Sequence, residues 1–262
     1  MKYRLPVVSG SFYPEEPDEL KATLASLFAG TKAETAAEAP KALIVPHAGY
    51  CYSGEIAAAG YASLRGPEMG GIERVLLLGP SHRVGFEGCA ISSHQFFSTP
   101  LGDIGVDRQA CQQLLEAGLV GVLDQAHQWE HSLEVQLPFL QYLLADFQIV
   151  PLVVGHCRPE IIAGILDIFA ADAGTRFIIS SDLSHYHSDA EARRLDGESI
   201  AKILALKPSL QPQDACGCYG INGLLSFCRR HHNKMTLIKS GNSGDVSRDK
   251  TRVVGYASFA MV

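Results

Sequence analysis

The stretch KALIVPHAGYCYSGEIAAAGYASLRGPEMGGIERVLLLGPSH, residues 41–82, decides the fold class. It opens with the short apolar run Lys41–Pro46, continues through a helical pattern over Gly54–Leu64, and closes with the apolar run Arg74–Gly79. Continuous apolar runs are typical of strands buried on both faces, and a helix between two of them is typical of a parallel pair. The stretch therefore predicts a strand–helix–strand unit.

The same alternation extends through the rest of the chain. Further strand-like runs are Phe147–Gly155, Arg176–Ser180 and Arg252–Val262, and further helical patterns are Glu15–Ala29, Asp107–Ala117, Leu133–Leu144, Pro159–Ala171, Ala190–Leu206 and Tyr219–His231. The small-residue linker Thr31–Pro40 is too short to divide domains. We predict an α/β fold that forms a single domain over residues 1–262, with a mostly parallel central sheet flanked by helices.

The composition argues against several classes of function. The chain has 262 residues, of which 22 are basic and 28 acidic, and it contains no run of Lys or Arg, so neither nucleic acid nor an anionic membrane is expected as a partner. The apolar stretches are much shorter than the ~18 residues of a membrane span. The first residues contain no apolar signal core, so we expect a cytoplasmic protein with reduced cysteines. Five of these are predicted to fill core space: Cys51, Cys89, Cys111, Cys157 and Cys228.

Histidines follow three of the predicted strands. His47 comes after the run that ends at Pro46, and His82 comes after RVLLLG; Asp182 and His185 both follow RFIIS. In open α/β sheets, ligands bind beyond the carboxyl ends of the strands, so these side chains are expected at one rim. Two neutral histidines and one anionic ligand, with open coordination positions, suit a redox or Lewis-acid metal.

The spacing leaves the anionic ligand open. Asp182, Glu134 and a cysteine thiolate are all candidates. Cys216 and Cys218 both lie directly before a helical pattern, where the helix N-terminus favours a thiolate. The spacing alone does not choose between these two cysteines.

The segment His127–Glu134 contains a further cluster of histidine and acidic residues. His131 and Glu134 share one face if a helix has already begun there. The alternative is that Ser132 caps the helix and that the acidic first turn is solvated.

Several segments, spread in a fixed order over nearly the whole chain, form a set: SGSFYP, IVPHAGYCYSG, LLGPSHRV, EHSLEVQLPFLQ, IVPLVVG, SSDLSHY, the ACG of DACGCYG, and VVGYASFA. The set resembles the Memo family, whose prokaryotic members include AmmeMemoRadiSam system protein B. This resemblance implies a fold similar to that of the class III extradiol ring-cleaving dioxygenases, which carry a non-haem iron site at the corresponding rim.

The resemblance also implies a set of metal ligands. Memo proteins bind metal through two histidines and a cysteine, and these match His47, His82 and Cys216. We therefore expect a His2Cys site for Fe(II), with copper or zinc as the alternative metals. The implied function is that of a metal-binding, redox, dioxygenase-like protein.

Three further residues match positions that line this site. His185 is expected to act as general acid or base, oriented or charge-balanced by Asp182. His131 matches the histidine of the EHS segment and is expected either next to the metal ligands or beside the substrate. The substrate on this hypothesis is a small molecule.

A second function is implied by the same resemblance. Eukaryotic Memo proteins are described as signalling adaptors that bind phosphotyrosine peptides in this pocket. On that hypothesis the histidines recognise a phosphorylated or anionic peptide, with Tyr52 and the loop Gly241–Asp249 as walls. The resemblance also implies a radical-SAM enzyme and an AMMECR1-type protein as partner proteins.

Overall fold

A mostly parallel sheet forms the centre of the protein in a computed structural model that describes residues 1–31, 39–66 and 71–262. The strands are β1 Tyr3–Arg4, β2 Ala42–Val45, β3 Arg74–Pro80, β4 Cys89–Ile91, β5 Phe96–Thr99, β6 Gly102–Val106, β7 Gly121–Val122, β8 Gln148–Val154, β9 Thr175–Ser180, β10 His185–His187, β11 Met235–Asn242 and β12 Val253–Met261. The helices are α1 Pro17–Ala29, α2 Tyr50–Ala62, α3 Arg108–Glu116, α4 Asp124–Gln128, α5 Leu137–Leu143, α6 Pro159–Ile168, α7 Asp189–Leu204, α8 Cys218–His231 and α9 Gly244–Ser247. Most of the predicted linker Thr31–Pro40 lies outside the described residues.

The strand order confirms the predicted fold class. The described strands join in the order β1–β5–β6–β8–β3–β9–β2–β12–β10, with β11 beside β12 and with β4 and β7 off this path. The strands β6, β8, β3, β9 and β2 are neighbours that all run parallel, whereas β12 runs antiparallel to β2. The carboxyl ends of β2, β3, β8 and β9 therefore meet at one edge of the sheet.

Burial on both faces explains the apolar composition of the central strands. Leu76, Leu77 and Leu78 of β3 are consecutive and fully buried, although side chains alternate between the two faces of a strand. All residues of β9 are buried as well. Helices therefore cover both faces, which is what a parallel sheet with helical connections requires.

Register identifies the helices on each face. Gly220 of α8 lies against Ile179 of β9, and Ile179 pairs in register with Ile44 of β2. The next residue of β2, Val45, points to the opposite face, where it lies against Gly60 of α2. The sheet is thus enclosed between α2 and α8. Within the described ranges, no helix is both long and apolar enough to cross a membrane.

The region predicted as one helix over Leu133–Leu144 is divided. A short 3₁₀ turn, Glu134–Gln136, precedes α5, and Pro138 stands in the first turn of that helix, where its missing N–H costs nothing. The side chains of Glu134 and Gln136 are buried and bind other segments of the chain. Apolar periodicity detects the helix but not this polar turn.

The cysteine predictions were right at four positions and wrong at one. Cys89, Cys111, Cys157 and Cys228 are buried, whereas Cys51 is exposed on the first turn of α2. In that turn the neighbouring positions Tyr50 and Ser53 face the core, and Cys51 lies on the solvent side. The Sγ atoms of Cys89 and Cys157 lie 3.7 Å apart.

Close helix packing generates a prediction about two glycines. A Cβ atom added to Gly223 of α8 would lie 2.3 Å from Cβ of Ile162 on α6, whereas one added to Gly197 of α7 would meet nothing within 4 Å. We expect Gly223→Ala to lower the free energy of unfolding by about 1–3 kcal/mol because α6 and α8 must move apart. The matched Gly197→Ala should raise it by about 0.5–1 kcal/mol.

Urea denaturation monitored by circular dichroism measures both effects. Equal midpoints for Gly223→Ala and Gly197→Ala would contradict close packing of α6 on α8.

Candidate metal centre

Three side chains that the sequence matched to metal ligands lie together at the carboxyl edge of the sheet. His47 follows β2, His82 follows β3, and Cys216 precedes α8. Their ligand atoms all lie within 4.8 Å of one another, and His47 Nε2 is 3.3 Å from Cys216 Sγ. His47 is buried, whereas the His82 side chain keeps 27% of its surface exposed. The cluster is therefore closed towards the sheet and open on the side of His82.

Close approach of two backbones brings Cys216 to this position. A Cβ atom added to Gly217 would lie 2.6 Å from Cβ of Ser181 and 2.7 Å from the Ser180 carbonyl oxygen. Only glycine therefore lets the start of α8 approach the end of β9. The Gly217 amide donates to Ser181 Oγ at 2.9 Å, and the Asp182 amide faces Cys216 Sγ at 3.2 Å.

A buried hydrogen-bond network fixes the tautomer of His47. Ser180 Oγ donates its one proton to the Ser132 carbonyl at 2.6 Å and accepts from Gln136 Nε2 at 2.9 Å. His47 Nδ1 lies 2.8 Å from the same oxygen and must be the donor, because the hydroxyl proton is already used. The lone pair of His47 then resides on Nε2, which is the atom that faces Cys216.

Gln136 completes this network. Its Nε2 also donates to the Pro46 carbonyl at 2.9 Å, and its Oε1 accepts from Tyr61 at 3.0 Å. Both amide protons and the amide oxygen are therefore paired, so the side chain has a single satisfied orientation. A buried network that is fully paired holds its members rigidly.

Glu130 binds His82 in a similar way. His82 Nδ1 lies 2.8 Å from Glu130 Oε1, and the His82 amide donates to Oε2 at 2.6 Å. A carboxylate accepts, so His82 carries its proton on Nδ1 and its lone pair on Nε2. Burial alone would raise the pKa of Glu130, but hydrogen bonds from His82 and Ser132 outweigh it and hold that pKa at about 2.

The electrostatics favour neutral imidazoles. Burial, with the neighbouring His82, lowers the pKa of His47 to about 3, and burial, with the neighbouring His47, lowers the pKa of His131 to about 4. Burial and the nearby Asp182 carboxyl raise the pKa of the Cys216 thiol well above its usual range. Burial therefore opposes the thiolate that the helix N-terminus favours at this position.

Asp182 and His185 lie at the same edge but are bonded differently from the expectation. Asp182 is buried and its Oδ1 accepts from the His47 amide at 2.8 Å, and burial raises its pKa. His185 Nδ1 lies 2.8 Å from the Leu183 carbonyl, so Nδ1 carries the proton. The Leu183 carbonyl, rather than Asp182, provides the hydrogen bond that orients His185.

His131 belongs to the cluster of imidazoles. Its ring stacks on His82 with the centroids 4.7 Å apart, and it meets His47 edge-on at 5.5 Å. Phe12 packs against its far side at 4.9 Å. His131 therefore lies next to both candidate histidine ligands, as the resemblance implies.

Tyr52 lines a separate surface cleft of about 820 Å³. The loop residues Gly241 and Asp245 also line this cleft, and so does Phe12, which connects it to His131. The three candidate ligands all lie in the described part of the chain, and none of them lines this cleft. The structure thus brings Tyr52 together with the predicted loop but not with the metal ligands.

Glu134 is committed elsewhere and is not available as the anionic ligand. It is fully buried, pairs with Arg4, and accepts from Tyr13 Oη at 2.7 Å and from the Val7 and Val8 amides. These contacts exclude Glu134 as a metal ligand, and its burial excludes a solvated acidic first turn. The sequence did not reveal this role of Glu134, because its partner Arg4 lies far away along the chain.

Three residues of the site carried no role in the sequence analysis: Glu130, Gln136 and Ser180. Two of them stand in the quoted EHSLEVQ segment, and the third is the last residue of β9. Ser180 ends a predicted strand, whereas Glu130 and Gln136 lie within and just after the cluster His127–Glu134, and these positions were the available signal.

Comparisons with known proteins find similar sequences over nearly the whole chain. A family model described as Memo-like protein matches residues 4–260. A MEMO1 family protein from Methanosarcina mazei is 36% identical, with 99% of each chain covered. MEMO1 family proteins from Thermoplasma acidophilum and Aquifex aeolicus are each 34% identical, with at least 98% of each chain covered.

A solved structure shows the same fold at low sequence similarity. The crystal structure of an uncharacterized protein from Escherichia coli K12 aligns with a TM-score of 0.50 and 13% identity, covering 83% of this chain and 98% of that one. The family is established by the sequence matches, which span nearly the whole chain. This chain belongs to the Memo family.

Proposed function

We propose that this protein binds Fe(II) through His47, His82 and Cys216 and uses it in redox chemistry on a small-molecule substrate. The observation that carries the proposal is the convergence of three ligand atoms within 4.8 Å of one another. Both imidazoles are neutral donors through Nε2, because Ser180 and Glu130 occupy their other nitrogens. A bound cation would also stabilise Cys216 as a thiolate, the form that burial alone disfavours.

The donor set and its openness support iron. Two imidazoles and one anionic donor leave coordination positions open, as in non-haem iron sites. An Fe(II) ion bound there would supply one-electron chemistry and positions for O2 or an oxygen-bearing substrate. Zinc accepts the same donors, so metal analysis has to separate the two.

Copper is less well supported. Blue-copper sites add a weak axial ligand, usually Met, to two histidines and a cysteine. The methionines in the described part of the chain contact other residues: Met1 lies near Tyr3, Met235 near Cys228, and Met261 near Asn233. None of these belongs to the cluster.

The surrounding polar residues would handle protons and orientation. His131 adjoins both histidine ligands, and His185 lies close enough to His47 to interact with it electrostatically. In this proposal each would exchange a proton with a bound substrate. Asp182 holds the main chain of His47 through the hydrogen bond from its amide.

Recognition of an anionic peptide is the second candidate. The cleft beside Tyr52 has the size of a ligand site, but its charged lining residues are Glu19, Glu55, Asp245 and one cation, Lys239. Lys239 is already paired with Glu55 at 3.0 Å. This net negative lining repels a phosphate group, so we favour metal-dependent chemistry.

Metal content provides the first test. Protein purified anaerobically without a metal-chelating tag should contain close to one iron per chain, and His47→Ala should lose it because a buried donor is removed. Elemental analysis by mass spectrometry measures both. Stoichiometric zinc would replace iron in the proposal, and the absence of metal from wild-type protein would refute it.

Cys216 and Cys218 form a matched pair for a second test. Cys216→Ser should weaken Fe(II) binding by more than the roughly 10–100-fold that follows loss of an outer hydrogen-bond partner, because a ligand itself is lost. Cys218 is buried in α8 outside the cluster, so Cys218→Ser should bind iron as the wild type does. Chelator competition under anaerobic conditions measures both constants, and equal affinities would sink the assignment of Cys216.

A chelator distinguishes the two candidate functions. We expect no saturable binding of a phosphotyrosine peptide, with or without metal, because of the acidic cleft. Fluorescence anisotropy of a labelled peptide before and after treatment with chelator is the measurement. Saturable binding that survives the chelator would make the protein a peptide binder instead.

A further inference from the structure

Glu130 is a buried carboxylate with an unusually complete set of hydrogen bonds. Oε1 accepts from His82 Nδ1 at 2.8 Å and from the amides of His131 and Ser132 at 2.9 and 2.8 Å. Oε2 accepts from the His82 amide at 2.6 Å. The side chain therefore links the loop after β3 to the segment that carries His131.

The segment around Glu130 is itself anchored from the other end of the chain. The Arg4 guanidinium is buried and donates to the carbonyls of Glu130 and His127. It also pairs with the buried Glu134 carboxylate. The main chain of Glu130 is thus held by contacts that do not involve its own carboxylate, so the carboxylate is a fixed point to which His82 is bound.

This geometry decides between two roles for Glu130. His82, Glu130 and His131 also lie close enough together to hold a metal ion. Both Glu130 oxygens, however, are already occupied by N–H donors, and His82 Nδ1 is one of them. A metal at that position would have to displace these protons, so Glu130 acts on His82 rather than on the metal.

We infer that Glu130 is a positioning residue of the metal centre: it fixes the Nδ1–H tautomer and the ring orientation of His82, so that Nε2 faces Cys216 and His47. The inference rests on the proposed metal function. A carboxylate that holds the second nitrogen of a histidine ligand typically strengthens metal binding 10–100-fold. No role was expected for Glu130 from the sequence.

The chain contains a matched control for the test. His156 Nδ1 lies 2.9 Å from Glu87 Oε2, which is the same kind of carboxylate–imidazole contact, but both side chains are exposed and lie outside the ligand cluster. Glu130→Gln and Glu87→Gln make the same chemical change. In Glu130→Gln an amide NH2 group replaces one of the oxygens that accept from N–H donors, so His82 loses one of its two hydrogen bonds to this side chain.

The first measurement is Fe(II) affinity by anaerobic chelator competition. We expect Glu130→Gln to bind roughly 10–100-fold more weakly than the wild type and Glu87→Gln to bind equally well. Equal affinity of Glu130→Gln and the wild type would overturn the inference while leaving the metal site intact. A wild-type protein that binds no metal would overturn both.

The second measurement identifies the protonated nitrogen of His82 directly. Its main result comes from the wild-type protein and does not require Glu130→Gln to fold. Long-range proton–nitrogen correlation spectra of the metal-free wild-type protein, with His82 assigned through His82→Ala, should show the proton on Nδ1. In folded Glu130→Gln the His82 signals should shift towards a mixture of tautomers, which a merely structural role would not cause. A proton on Nε2 in the wild type would overturn the inference.

Discussion

Strand β9 pairs in parallel with β2 on one side and with β3 on the other. This pairing brings the loops that carry His47 and His82 to the same edge, and it places Ser180, the last residue of β9, between them. The glycine at 217 then lets α8 approach β9 closely enough for Cys216 to join them. Every distance within the cluster therefore depends on the register of three strands.

The edge of the sheet is polar although it is buried, which is costly unless each group finds a partner. Ser180 and Gln136 satisfy all of their donors and acceptors within the network beside His47. Glu130 does the same beside His82. The proton positions of the two imidazoles follow from these partners, which leave the Nε2 lone pair of each ring free. The protein thus prepares the geometry of the centre through its outer hydrogen bonds.

The sequence was sufficient to predict the sheet and the position of His47 and His82 at its carboxyl edge. The apolar runs that become β2, β3 and β9 are continuous because both faces are buried, and polar residues at their ends stand out against this background. Short strands such as β4 and β10 contain too few residues to show the hydrophobic alternation or apolar run that identifies a strand. Hydrophobic periodicity also failed to predict the 3₁₀ turn Glu134–Gln136, because the buried side chains at its two ends are polar.

The remaining residues of the site depend on contacts between distant segments. Arg4 and Glu134 are 130 residues apart, so no local pattern announces that Glu134 is occupied. The choice between Cys216 and Cys218 depends on where α8 begins, which spacing fixes only to within a few residues. Glu130 was visible as a charged neighbour of His131, but its bonds to His82 exist only after β3 and the following loop are in place.

The order of His47, His82 and Cys216 along the chain has a consequence for when the cluster forms during protein synthesis. Cys216 lies 169 residues after His47, which is roughly 10–30 s of translation at about 5–20 residues per second. From the synthesis of His82 until the end of that interval, the nascent chain contains both imidazoles without the thiol. The cluster can therefore form only after Cys216 has been made, when the residues of β2, β3 and β9 are already present in the chain.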